Sequence, residues 1–269
     1  MPIKLLFTIT FSILCLLVTP NDSLANAFTS DRVTQQSNTI DLRERDWGNG
    51  AIHELLGNWS FVWNTFTHDS QQPPNLDWRS VRVPGPWTQQ TNAVQQPQTA
   101  ILEQGYGTYF LQILVPEDLT RVYIHIPDMA SAYELWSQGV RLGGNGSIGT
   151  DRASEEPGYL PHVFEFSPVD GRVELYIKTS NFHYRWGGIW YPPVITDNSG
   201  VYEIRELPLI TAASSVTALL VAAIFCMFLF LSRPQEKKML YFSLFCFAIS
   251  VRRLCMEERI LYLLSDFDW

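Results

Sequence analysis

Between residues 51 and 200 the apolar positions fall in short runs, many of them alternating with polar ones. Gly, Pro or Asn interrupts them about every eight to fifteen residues, the spacing of strands in a β-sandwich. The pattern predicts strands at Trp59–Trp63, Trp78–Val83, Thr108–Val115, Val122–Ile126, Ala132–Trp136, His162–Phe166 and Val173–Thr179. Within Val173–Lys178 the odd positions are aliphatic, while Glu174 and Lys178 carry charge, which predicts one buried and one wet face. Trp59, Trp63, Trp78 and Trp136, placed inside predicted strands, are assigned to the core. The stretches Gln89–Gln98 and Asp151–Gly158 read as loops, and residues 28–50, with Gln35-Gln36-Ser37-Asn38 and alternating charges from Asp41 to Asp46, as a polar lead-in.

Both ends follow a different pattern. Residues 1–27 read as a signal peptide, with Lys4 before the apolar run Leu5–Val18 and Ala25-Asn26-Ala27 as a small-x-small cleavage site. Cys15 lies inside that run between Leu14 and Leu16, so it reads as a residue of the apolar region and not as a lipid-modification site. Leu207–Ser232 carries no charge over 26 residues, more than the ~20 needed to span hydrocarbon. A transmembrane helix is assigned to residues 209–232 after a linker at 201–208. Arg233, Lys237 and Lys238 then place the 233–238 loop in the cytoplasm and the preceding domain outside. The pattern therefore puts the N-terminal domain on the outer side of a membrane bilayer.

A second helix is assigned to 239–256, with 257–269 as the start of the next loop. Its apolar run, Met239–Val251, is 13 residues long and ends at Arg252-Arg253. Spanning carries the arginines to depth at about 2.5–3.5 kcal/mol each unless neighbouring helices shelter them. The alternative is an interfacial helix with Arg253 and Glu257 on a solvated face.

Composition sharpens this division. The whole chain is 46% hydrophobic and 17% charged with net charge −8. Residues 28–206 hold 21 acidic and 12 basic side chains, a net of −9, together with eight of the nine Trp, all five His and one Lys. That acidity excludes a nucleic-acid partner. The cysteines are Cys15, Cys226, Cys246 and Cys255, so no disulfide framework supports the polar domain.

Gly144–Gly149 matches G-x-G-x-x-G, but an acidic segment broken by Pro157-Gly158 follows instead of a helix, so it reads as a glycine turn. The same stretch misses a nucleophile elbow around Ser147 because Asn145 stands where the first glycine is required. Glu155 and Glu156 read as a solvated pair, and no carboxylate pair stands in the contrasting settings that a glycosidase needs. His125, His162 and His183 lack partners at metal-ligand spacing and read as structural or surface residues. Neither catalytic residues nor a cofactor or metal are expected.

What remains is aromatic and polar chemistry on predicted loops: Pro84–Trp87, Gly105–Tyr109 and Ser180–Tyr191. Aromatic faces cover the C–H face of a pyranose, while Asn, His and Arg supply directional hydrogen bonds. The candidate contacts for a small ligand, a saccharide, are Trp87, Tyr106, Tyr109, Asn181, His183, Arg185, Trp186 and Trp190.

At Leu56–Trp63, Gly105–Tyr109, Ser131–Gly139, Ser180–Gly188 and Tyr241–Trp269 the chain resembles the bacterial seven-transmembrane receptors with diverse intracellular signalling modules (7TM-DISM). The resemblance implies an exported all-β jelly-roll sandwich of the galactose-binding-like kind, then transmembrane α-helices that relay ligand occupancy to an intracellular module. It also implies five further spans and that output module, which lie outside these 269 residues. Val83–Trp87 and Thr108–Pro116 are similar to the sugar-binding domain of family 2 glycosidases. The expectation is the sensory part of a membrane receptor, with a homodimer allowed. Its rivals are an adhesion domain that binds a partner protein and a membrane-anchored hydrolase.

Overall fold

The alternation read from the sequence becomes two sheets in the computed structural model, which describes residues 38–68, 76–93, 103–129 and 131–256. The signal-peptide assignment, residues 94–98 of the glutamine-rich loop and the 257–269 segment lie outside the described residues. The strands are β1 (Thr39–Asp41), β2 (Ile52–Glu54), β3 (Gly57–Trp63), β4 (Arg79–Val83), β5 (Gly85–Pro86), β6 (Gly105–Leu114) and β7 (Val122–Ile126). They continue with β8 (Ala132–Ser137), β9 (Val140–Asn145), β10 (His162–Phe166), β11 (Arg172–Asn181), β12 (Gly188–Ile189) and β13 (Val194–Thr196).

The larger sheet has the order β4-β3-β6-β11-β8-β9, and the smaller β10-β7-β13-β2. They face each other across one core, to which Trp59, Phe61, Leu111, Ile113, Leu175 and Ile177 contribute from one side. Ile124, Ile126, Phe166 and Ile195 contribute from the other. This is a β-sandwich, with inward and outward positions alternating along each strand.

Three sequence expectations need correction. The lead-in is not all polar surface: β1 pairs in parallel with Gln112–Leu114 of β6, beside the stretch of the same edge that β3 occupies. Ile40, Leu42 and Trp47 are buried in the core, and Trp47 Nε1 donates to the Leu42 carbonyl at 3.0 Å. The outer face of β11 is not wet. Lys178 is only 8% exposed, its Nζ 4.0 Å from the Trp136 ring centre and 3.5 Å from His68 Nδ1. The chain after β3 lies over this face: Thr67 N–H donates to Thr108 Oγ1, which donates to the Thr65 carbonyl. Burial pushes the Lys178 amine below the usual lysine range. Finally, Glu155 and Glu156 are not a solvated pair, since Glu155 is 3% exposed while Glu156 stays at the surface.

The sandwich unit runs to Ile204, and a helical unit begins at Arg205. The expected linker is helical, with a π turn at Tyr202–Glu206 leading into α1 (Leu207–Ser232). Tyr202–Ser232 is one helix of 31 residues, long and apolar enough to cross a membrane by length and composition. A short turn joins it to α2 (Lys237–Met256). The buried face of α1 is built on Ala212, Ser215, Ala223 and Cys226, whose small side chains allow close approach to α2, with Leu219 packing between them. Ser243 Oγ donates to the Ala223 carbonyl at 2.8 Å, and Arg253 Nη1 donates to Ser215 Oγ at 2.5 Å. Arg253 is therefore held against α1, while Arg252 is exposed.

Candidate functional site

The loop that follows β11 is fastened at both ends, and the fastenings come from the sequence on either side of it. At its start, Asn181 folds the chain back on itself. Its Nδ2 donates to the carbonyls of Tyr184 (2.9 Å) and Glu103 (3.0 Å), and its Oδ1 accepts from Tyr184 N–H at 3.1 Å. Both amide donors and the carbonyl are thereby committed.

The 149–158 loop clasps the same segment. Glu155 Oε2 accepts from Phe182 N–H at 2.5 Å, Oε1 accepts from Ser180 Oγ at 3.4 Å, and the Ala132 amide hydrogen-bonds the carboxylate as well. Arg152 Nη1 donates to the Phe182 carbonyl at 3.0 Å, and the Arg152 carbonyl lies 3.1 Å from His183 Nε2. Burial is the largest influence on Glu155 and raises its pKa, while these hydrogen bonds to the carboxylate lower it. Among the described residues it is the one carboxylate shut away from solvent.

At the other end, β12 pairs with β5, and Trp87 N–H donates to the Gly187 carbonyl at 2.8 Å. Gly187 lies flat on the Trp87 indole: a Cβ there would stand 2.1 Å from Trp87 Cε3. Trp87 in turn is 0% exposed, packed edge-on to Trp63 at 5.0 Å between ring centres, and its Nε1–H donates to the Tyr109 hydroxyl at 2.7 Å. The Ile189 amide also hydrogen-bonds that hydroxyl. Tyr109 thus joins β6, Trp87 and the loop stem, and burial holds its phenol in the neutral form.

Between these fastenings the loop offers its rings to solvent: Tyr184 is 40% exposed, Trp186 48% and Tyr191 61%. The Tyr184 ring lies 5.1 Å from the half-buried Trp190, and the Arg185 guanidinium lies 5.7 Å from the Trp186 ring centre. A pinned loop carrying open aromatic faces and a guanidinium offers stacking and directed hydrogen bonds with little ordering still to be done.

The eight candidate contacts therefore divide. His183, Arg185, Trp186 and Trp190 fall together on this loop, with Asn181 as its internal staple. Tyr106 sits on β6, its ring 4.8 Å from Phe66. Trp87 and Tyr109 are corrected to core residues, buried beneath the loop stem. Tyr184 and Tyr191 belong to the exposed set although the candidate list passed over them, and Glu155 fixes the loop without any sequence signal.

The glycine run opens no helix among the described residues. Gly144 lies in β9, where a Cβ would stand 2.3 Å from the Tyr133 carbonyl, and Ser147 pairs with Glu156 across the following bend. Among the described residues no group of three or more His, Cys, Asp or Glu side chains is arranged to hold a metal.

No family model matches the chain, and no curated protein matches it. Among solved structures it is similar to a glycoside hydrolase family 2 β-galacturonidase from Eisenbergiella tayi bound to galacturonate. The identity there is 14% and the TM-score 0.39, over 58% of this chain and 26% of that one. It is also similar to a putative β-galactosidase from Bacteroides fragilis, at 20% identity and TM-score 0.39, over 54% of this chain and 23% of that one. A β-D-glucuronidase from Dictyoglomus thermophilum matches at 14% identity and TM-score 0.40, over 55% and 28%. This chain spans about a quarter of the length of these enzymes.

Proposed function

We propose that this protein is the sensory part of a bacterial membrane receptor of the seven-transmembrane class with intracellular signalling modules. In this reading the sandwich is an exported jelly-roll that binds a small saccharide, and it performs no catalysis. The observation that carries the binding half is the pinned loop with Tyr184, Trp186 and Tyr191 open to solvent beside Arg185. Stacking on the rings supplies most of the affinity, and the polar groups select orientation.

The membrane half rests on the apolar length of Tyr202–Ser232 and on Arg233, Lys237 and Lys238 beyond it, which orient the sandwich to the periplasm. In this reading α1 and α2 are the first two spans. Arg253 is sheltered in the bundle by Ser215, so that α2 crosses the inner membrane as the second helix. Ligand acts by stabilising one setting of the sandwich and bundle over another. Glu155 does not form the hydrolase pair of the rival reading, because both of its oxygens are committed to the loop.

The test is a glycan panel presented to the full chain in lipid nanodiscs, parent beside Trp186→Ala. The reading expects at least one saccharide to bind saturably and to lose about tenfold in affinity with the substitution, the worth of one aromatic contact. A panel with no binder overturns it, and capture of a protein partner by the same rings would assign the surface to adhesion.

A further inference from the structure

We infer that the saccharide taken by this loop is acidic, with a sugar carboxylate held by Arg185. The inference rests on the saccharide reading above and adds the ligand's charge. The sandwich is itself acidic, and four of its arginines are already paired: Arg43 with Asp41, Arg79 with Asp77, Arg121 with Glu165 and Arg141 with Glu134. Arg152 is turned to the Phe182 carbonyl.

Arg185 differs from all of these, and from Arg82 and Arg172, which are also exposed and outside these ion pairs, in lying among the exposed rings of the loop. It is exposed, its guanidinium lies 5.7 Å from the Trp186 ring centre, and among the described residues no carboxylate lies within ion-pair distance of it. At 5.7 Å from the ring centre the guanidinium is not committed to the indole, and its fork of N–H donors matches the two coplanar oxygens of a carboxylate.

Its neighbours prepare the same site. Tyr184 and Trp186 flank Arg185 in sequence and expose their rings, which puts stacking faces and a carboxylate-binding cation on one short segment. On the clasping loop Glu155 is turned inward to Phe182 N–H and Ser180, Asp151 accepts from the Ala153 and Ser154 amides, and Glu156 accepts from Ser147 Oγ. A neutral sugar would use the rings and leave the charge idle. A uronate uses both, and the charge gives preference over the many neutral glycans outside a cell.

The experiment measures binding of the full chain in nanodiscs to three probes: trigalacturonate, trimannuronate and a hyaluronan tetrasaccharide. Each is compared with its fully methyl-esterified form, which keeps the skeleton and removes the charge. The parent is expected to bind at least one acid about tenfold more tightly than its ester, a preference that weakens as salt rises. Arg185→Ala costs the acid about tenfold more affinity than it costs the ester, so the preference disappears, Arg185→Lys restores part of it, and Arg121→Ala leaves both affinities and the preference intact.

Equal binding of acid and ester, or an equal loss of both in Arg185→Ala, overturns the carboxylate assignment while the saccharide reading stands. Failure of every probe, acid and ester alike, together with every neutral glycan, overturns both.

Discussion

Removing a single oxygen from Tyr109 tests whether the core and the loop stem are joined as described. In Tyr109→Phe the ring contacts remain, but Trp87 Nε1–H and the Ile189 amide both lose their acceptor in a region closed to water. A buried donor left without a partner costs about 1–3 kcal/mol, and partial relaxation of the second makes about 2 kcal/mol the expected loss. For a domain of this size each kcal/mol lowers the melting temperature by about 2–4 °C, so the variant should melt about 4–8 °C below the parent. Tryptophan fluorescence of the full chain in detergent reports this directly, because eight of the nine Trp lie in the sandwich. In a Trp87→Phe background one of the two orphaned donors no longer exists, so the same change should cost about 1 kcal/mol or less. A shift under about 1 °C, or an equal cost in both backgrounds, would refute the hydroxyl as the junction.

Other consequences follow from the same contacts. Gly187→Ala drives a methyl into the Trp87 indole and should cost about 1–3 kcal/mol while lowering saccharide affinity, read by melting and titration together. Glu155→Ala orphans the Phe182 and Ala132 amides and should destabilise the sandwich by about 2 kcal/mol, whereas Glu156→Ala at the surface should stay within about 0.5 kcal/mol. Burial, with a smaller contribution from His162, lowers the His125 pKa to about 4 from 6.5. The unfolded chain therefore binds the proton first, and stability present above pH 6.5 is lost as the pH falls toward 4, by at most about 3 kcal/mol at 1.36 kcal/mol per unit. His125→Gln should flatten that part of the pH–stability curve. Ser215→Ala removes the acceptor of Arg253 and should weaken the helix pair by about 0.6–1.7 kcal/mol, measured by unfolding in mixed micelles.

The long strands were legible because their alternation survives over five or more residues. Val122–Ile126 and His162–Phe166 match the structure end to end. The short ones were not. β1, β2 and β13 have three residues each, too few for a period, and β1 sits in a polar stretch where only Ile40 points inward. β9 was hidden because its end, Gly144-Asn145, reads as the start of a glycine turn, whereas Gly143 and Gly144 permit close ring and backbone approach beside Phe164 and β8.

The same locality limits the site. The Ser180–Tyr191 loop stood out by its density of aromatic and polar residues, and three of its four rings beyond residue 183 are open to solvent. Trp87 looked like a loop residue because Pro-Gly-Pro precedes it, and its burial depends on Trp63, Tyr109 and Gly187, all distant in sequence. Glu155 leaves no local trace either, since its partner amide is 27 residues away.

Hydrogen–deuterium exchange of the full chain in nanodiscs, with and without the tightest-binding saccharide, tests most directly whether the pinned aromatic loop is the binding site. The account predicts protection concentrated in residues 182–191, extending to 149–155 through the Glu155 and Arg152 fastenings, and its loss in Trp186→Ala. Saturating ligand that leaves this loop unprotected while protecting another part of the sandwich would contradict it.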